Sequence, residues 1–243
     1  MVLVSGAALA GGFVNAIAGG GSLITFPALI ATGLPAVAAS VTNTVAMCPG
    51  YLTATIAQRR ELADQRARMV KIFPAGVVGG ALGALLLLWT GESAFELIVP
   101  FLLLFAAGMI AGQGKLRRWI DRPHGHAPSW AVVAVGLAAI YGGYFGAGLG
   151  VIVLASLAIA IDDSLVRINA LKQGVSLSVN VSAAIVFAFS SQIDVPDALA
   201  MAVGSMTGGW LGGAVASRVP APLLRAVVIV VALAVAAVYF TRL

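Results

Sequence analysis

The sequence predicts an all-α polytopic membrane protein, an inverted repeat of two five-segment halves, each starting with a glycine-broken short helix pair. Three observations carry that expectation. Of the 243 residues, 60% are hydrophobic and 9% charged, against about 25% charged in a soluble domain; with a mean hydropathy of +1.04, the chain is suited to a bilayer. Two glycine clusters, Gly19-Gly20-Gly21 and Gly146-Ala147-Gly148-Leu149-Gly150, interrupt apolar segments at matching places. Arginines crowd one loop and are missing from its counterpart.

The first apolar segment, 2–18, has no basic stretch ahead of it, so a cleaved signal peptide is not expected. It ends at the triple glycine, where a helix interior would lose about 1 kcal/mol per glycine relative to alanine, so the triplet marks a break. A second segment, 22–32, stops at Gly33-Leu34-Pro35. Both are short for a span that needs about 20 residues and read as a hairpin or two thin crossings. A third segment, 36–57, carries Ser40, Thr42, Asn43 and Thr44. After an arginine-rich loop comes a fourth, 72–90, with Gly76, Gly79, Gly80 and Gly83 spaced for close helix contact. Thr90-Gly91-Glu92-Ser93 turns into a fifth, 94–112.

A basic linker, 113–128, holding Lys115, Arg117, Arg118 and Arg122, joins this first repeat, 1–112, to a second, 129–243. The second follows the same order, with segments at 129–145, to 161, 168–189, 198–217 and 221–240. A shift of 129 residues places Gly148 on Gly19, Gly150 on Gly21, Gly209 on Gly80 and Gly212 on Gly83. One offset serving both the break and the later glycine face argues for internal duplication.

Charge then sets the orientation. The loop after the third segment carries Arg59, Arg60, Arg66, Arg68 and Lys71, whereas its counterpart, 190–196, has no basic residue. By the positive-inside rule the first is cytoplasmic and the second is not, which inverts the halves. That arrangement leaves Arg242 as the one external residue among 14 Lys and Arg; a parallel one also puts Arg167, Arg218 and Arg225 outside.

The helix segment after each break begins with free N–H groups and the positive end of a dipole, which suits an anion. Interrupted helices at matching positions point to a transporter binding site. The candidate substrate-binding residues are Asn15, Gly19, Gly20, Gly21, Ser22, Thr42, Asn43, Gly148, Gly150, Lys172 and Gln173. Asn43 and Gln173 fall at nearly equivalent repeat positions. Amides and hydroxyls inside a bundle also serve simply to tie helices, at about 0.6 kcal/mol each. Lys172 has two readings: cationic partner of an anion, or a lysine snorkelling to the interface. Arg167 beside Asp162 and Asp163 reads as a local ion pair. Glu92, Glu96, Asp194 and Asp197 fall near outer ends, so no mid-span carboxylate offers a proton relay. Export of a monovalent anion needs none, since a negative interior contributes about 2.3 kcal/mol per charge per 100 mV.

Other chemistries are excluded. Gly19-Gly20-Gly21-Ser22 lacks a P-loop lysine, and Gly146–Gly150 is no dinucleotide fingerprint. Cys48 is the single cysteine, which rules out an internal disulfide. His124 and His126 lie in the linker without a third ligand, so no metal, and no other cofactor, is expected. The net charge of +5 reflects topology rather than nucleic acid. No enzyme activity is expected.

The pattern G-G-F-x-N-x-x-x-G-G-G-S-x-x-x-x-P at Gly11–Pro27, the Ala38–Asn43 stretch and the matching second half resemble the TauE/SafE family of sulfite and organosulfonate exporters. The resemblance covers almost the whole chain. It carries over Gly19, Gly20, Gly21, Pro27 and Ser40–Asn43; the second break departs from it, having no proline after Gly148-Leu149-Gly150. It implies transport of a small sulfur-containing anion, sulfite or a sulfonate, across the bacterial inner membrane. Joined to the inverted repeat, this gives the expectation of a secondary transporter that exports its substrate by alternating access, one half rocking against the other. Its partners would be that anion and the lipid bilayer, with a homodimer allowed. The rival readings are a passive anion channel and a structural membrane subunit without transport.

Overall fold

A computed structural model describes residues 1–119, 129–216, 218 and 221–240, with the side chains of 113–119, 129 and 221–225 left aside. Arg122, His124, His126 and Arg242 lie outside the described residues, and Arg225 outside the described side chains. Within them the chain forms nine helices and no strand: α1 (Val2–Ile17), α2 (Ser22–Ala31), α3 (Ala36–Ala57), α4 (Arg66–Trp119), α5 (Ser129–Tyr144), α6 (Leu149–Ala160), α7 (Leu165–Phe187), α8 (Val195–Val215) and α9 (Ala221–Phe240). Three of these, α4, α7 and α8, are long and apolar enough to cross a membrane by length and composition.

The element order agrees with the segments read from the sequence, with one difference. The fourth and fifth segments are two helical arms, both within α4, that part at Gly91 inside the expected Thr90–Ser93 turn; its φ of 74° and ψ of 177° are values only glycine adopts readily. The second arm runs on to Trp119, into the linker expected from residue 113. Gln113, Lys115, Leu116 and Arg117 are good helix formers, and no proline stops them.

Glycine faces decide which helices meet. Gly204, Gly208 and Gly212 of α8 lie against the backbone of Ser5, Leu9 and Phe13, so α1 runs parallel to α8. Gly209 and Gly213 lie against Gly50 and Ala54, which places α3 beside the same helix and parallel to it. The first arm of α4 has the same company from the other part of the chain. Its Gly79 and Gly83 meet Gly136 and Ile140 of α5, and its Gly76 and Gly80 meet Val175 and Val179 of α7. A Cβ at these positions would strike backbone, or at Gly76 the Ser178 hydroxyl, which is why small residues recur there. The result is two trios, α1–α3–α8 and α5–α7–α4, each borrowing one helix from the other end of the sequence.

Both short pairs are hairpins. The 16 residues of α1 and 10 of α2 span about 24 and 15 Å at 1.5 Å per residue. Both their free ends sit at the start of α8: Ser5 Oγ donates to the Ala200 carbonyl at 3.0 Å, and Thr32 Oγ1 to Asp197 Oδ2 at 3.4 Å. The α5–α6 hairpin opens at the start of α4, where Arg68 pairs with Asp163 just beyond α6. Those two starts lie at opposite ends of α3. Its first N–H groups, Ala36 and Val37, donate to Glu92 at the α4 bend, and Thr42 Oγ1 nearby accepts from the Asp194 N–H at 2.9 Å. At its far end, Gln58 Oε1 accepts from Asn169 near the beginning of α7 at 2.8 Å. Phe26 of α2 packs edge-on against Phe145 at the second break, with ring centroids 5.3 Å apart, tying the two hairpins together.

Candidate functional site

The two breaks meet. A Cβ on Gly19 would stand 2.8 Å from the carbonyl carbon of Gly150 and 2.8 Å from the amide nitrogen of Val151. Gly19 and Gly20 have φ of 72° and 100°, and Gly146 and Gly148 have 76° and 81°, so each turn depends on glycine twice. Gly19 closes α1 as a left-handed cap, its N–H donating to the Asn15 carbonyl at 3.2 Å. Beyond each break, three of the first four N–H groups turn back locally. Leu23, Ile24 and Thr25 donate to Gly20 and Gly21, and Leu149, Val151 and Ile152 to Gly146 and Gly148. This leaves Ser22 at the head of α2 and Gly150 at the head of α6, a narrower donor set than four open amides.

The carbonyl end of α1 is covered by a polar stripe on α7. Lys172 Nζ donates to the Asn15 carbonyl at 3.0 Å, Gln173 Nε2 to the Ala16 carbonyl at 2.9 Å, and Asn169 Nδ2 to the same carbonyl at 3.1 Å. Cations and donors favour that end of a helix, where carbonyls have no intrahelical partner. Lys172 does not snorkel: it is 0% exposed and reaches across to α1. It is the one buried charged side chain among the described residues. Gly150 lies beside it, its Cβ position 3.7 Å from Lys172 Cδ and 3.6 Å from Asn15 Oδ1. Gln173 Oε1, Asn169 Oδ1, Ser176 Oγ and Gln58 Nε2 are buried with no hydrogen-bond partner among the described residues. Each such atom costs about 1–3 kcal/mol, so three on the α7 stripe and one on Gln58, which is bonded to Asn169, are unusual for a region that only packs. The Tyr51 hydroxyl of α3 is flanked by the side chains of Asn15 and Asn180.

Of the candidates, Asn15, Gly19, Gly150, Lys172 and Gln173 come together here, and Gly21 packs against Gly11 and Asn15. Ser22 is buried at the α2 head. The others are elsewhere. Thr42 holds the Asp194 N–H, Asn43 accepts from Thr25 Oγ1 of α2, Gly20 faces Ile110 and Val228, and Gly148 faces Ala106. Tyr51, Gln58, Ser176 and Asn180 were missed. The signal for the last two was present: Asn169, Lys172, Gln173, Ser176 and Asn180 recur at the spacing of one helix face.

An ionic clasp lies where α7 begins. Asp163 Oδ2 accepts from Arg68 Nη1 and, at 3.1 Å, from Arg167 Nε, the local pair expected of Arg167. Gln65 Nε2 donates to the Arg167 carbonyl at 3.0 Å, and Arg167 Nη2 to the Ala63 carbonyl at 3.3 Å. Partial burial pushes the Asp163 carboxyl up, but the Arg68 hydrogen bond, the Ser164 N–H and Arg167 outweigh it and hold the group below its ordinary value. Among the described residues no cluster of His, Cys, Asp or Glu is arranged to hold a metal.

The sequence model of the family described as "Sulfite exporter TauE/SafE" matches residues 4–239. Three relatives span nearly the whole chain. "Probable membrane transporter protein YfcA" of Escherichia coli (strain K12) is 26% identical over 92% of this chain and 83% of its own. A "Probable membrane transporter protein" of Haemophilus influenzae is 28% identical over 90% of this chain and 86% of its own. "Probable membrane transporter protein ORF9" of Sinorhizobium sp is 26% identical over 95% and 88%. No solved structure matches the chain.

Proposed function

The chain belongs to the TauE/SafE sulfite exporter family, and on that footing we propose that it is a secondary transporter moving a small sulfur-containing anion, sulfite or an organosulfonate, outward across the bacterial inner membrane by alternating access. The observation that carries the reading is Lys172. It is a basic side chain in the bundle interior, beside the meeting point of two helix breaks, with Gly150 and a set of unpartnered polar atoms near it. Such a site replaces an anion's lost water with one full charge and several dipoles.

An inverted repeat is supported by the two hairpins, which open at opposite ends, and by α3 and α7, whose ends are exchanged with respect to one another. The positive-inside rule puts the Arg68–Asp163 end in the cytoplasm and the Asp194 end outside. Because α4 and α8 are exchanged between the sequence halves, the bodies that rock are the trios, not residues 1–112 against 129–243. Movement of one trio past the other would alternately open the Gly19–Gly150 junction to each face.

Purified protein in liposomes should take up labelled sulfite with saturation and should show counterflow, in which unlabelled sulfite inside drives entry of the label. Flux rising linearly with concentration and without counterflow would make it a channel. No flux at all would leave a structural subunit.

A further inference from the structure

As an ammonium, Lys172 would carry a charge that nothing around it balances. Every carboxylate among the described residues lies towards an end of the bundle: Glu61, Asp64, Asp162 and Asp163 where α4 and α7 begin, Glu92, Glu96, Asp194 and Asp197 at the other. The elements packed on α7 bring Cys48 and Tyr51 from α3, Tyr141 and Tyr144 from α5, and Arg66, Arg68 and Lys71 from the start of α4, whose Glu92 and Glu96 stand at and beyond the bend. The helices α1 and α6 bring no titratable side chain. On α7 itself Arg167 is already paired with Asp163. The Asn15 carbonyl that Lys172 touches is a dipole and not a counter-charge.

An ammonium removed from water is neutralised either by an anion at its side or by loss of its proton. Resting on the transport reading above, the geometry points to Lys172 as the proton carrier of the cycle: it is loaded with a proton together with the anion and gives the proton up when the anion leaves. In the release step one N–H bond of the ammonium breaks, its electron pair stays on Nζ, and the proton passes to water at the open face. On reloading, the amine lone pair takes a proton from water and the anion settles beside the new charge. The empty carrier reorients with a neutral amine on the Asn15 carbonyl, and the loaded one with a matched ion pair. No state crosses the membrane with an unbalanced charge in its centre. The cargo is therefore an anion plus a proton, and the membrane potential does not drive it. Lysine is suited to this work where arginine is not, since a guanidinium holds its proton under all physiological conditions.

The test uses purified full-length protein in liposomes, with a pH-sensitive dye inside and methanesulfonate as the probe, an anion with no exchangeable proton near neutral pH. We expect net methanesulfonate entry to acidify the interior, one proton accompanying each anion, at a rate unchanged by a potassium–valinomycin potential. In Lys172→Arg, net entry should fall at least about tenfold further than exchange of labelled for unlabelled methanesulfonate, because exchange never requires the empty carrier to reorient. A Lys172 that merely packs would lower both alike. Net entry without acidification, accelerated by the potential, would overturn the proposal and leave the transporter reading standing. Absence of both entry and exchange for methanesulfonate and for sulfite would overturn both.

Discussion

Replacing Gly19 with alanine should destabilise the protein by about 2–5 kcal/mol, a sum of two separable effects. The first is conformational: at φ 72° an L-residue loses about 1–2 kcal/mol. The second is steric. The new methyl would stand 2.8 Å from the Gly150 carbonyl carbon and the Val151 nitrogen, backbone atoms that cannot swing aside, and overpacking of that kind costs about 1–3 kcal/mol. Gly33 supplies the control, since its φ is 93° and nothing lies within 4 Å of its Cβ position. Gly33→Ala therefore carries the conformational effect alone. Thermal unfolding in detergent should place Gly19→Ala below Gly33→Ala by about 2–12 °C, taking about 2–4 °C per kcal/mol for a chain of this size. The same variant should lose sulfite transport, because the junction it wedges apart is the proposed site. Equal midpoints for the two variants would refute the close approach of the breaks, and with it the shared centre.

Three further outcomes are expected. A cysteine at exposed Gln192, in a Cys48→Ala background, should react with an impermeant thiol reagent added outside intact cells; labelling seen only after lysis would reverse the orientation. Asp163, held below its ordinary value, should contribute stability above an unfolded carboxyl value of about 3.9 that is lost as pH falls through its lower folded value. Asp163→Asn should thus show a shallower loss of unfolding midpoint between pH 5 and 3, roughly, than the wild type. Gly208→Leu would drive a side chain into the Leu9 backbone and should abolish accumulation of folded protein, whereas Gly108→Leu, facing open space, should be tolerated.

The helix order was legible because glycine and proline punctuate apolar segments whatever they pack against. Lys172 was legible as a candidate from its place on α7, but its burial was not, since the snorkelling reading stood beside it; the buried position goes with the small residue opposite, Gly150, which leaves room for the lysine stem. Thr42 and Asn43 show the limit. They are neighbours on one helix, yet one turns to the Asp194 loop and the other to Thr25, and a polar residue on an apolar helix does not reveal which neighbour it faces. The exchange of α4 and α8 between the trios was equally hidden. A glycine face announces that a helix will approach closely, but its lack of side chains removes the information about which one.

That exchange has a consequence for biogenesis. Ser5 and its partner Ala200 are separated by 195 positions, so α1 enters the bilayer long before the helix that will cover its groove has been synthesised. The hairpin it forms with α2 must wait, with carbonyl groups near Gly19 uncovered, until α7 and α8 leave the ribosome. Insertion and folding are thereby uncoupled in time. A truncated chain ending before α7 should be a substrate for membrane quality control, and co-expression of the missing part should rescue it.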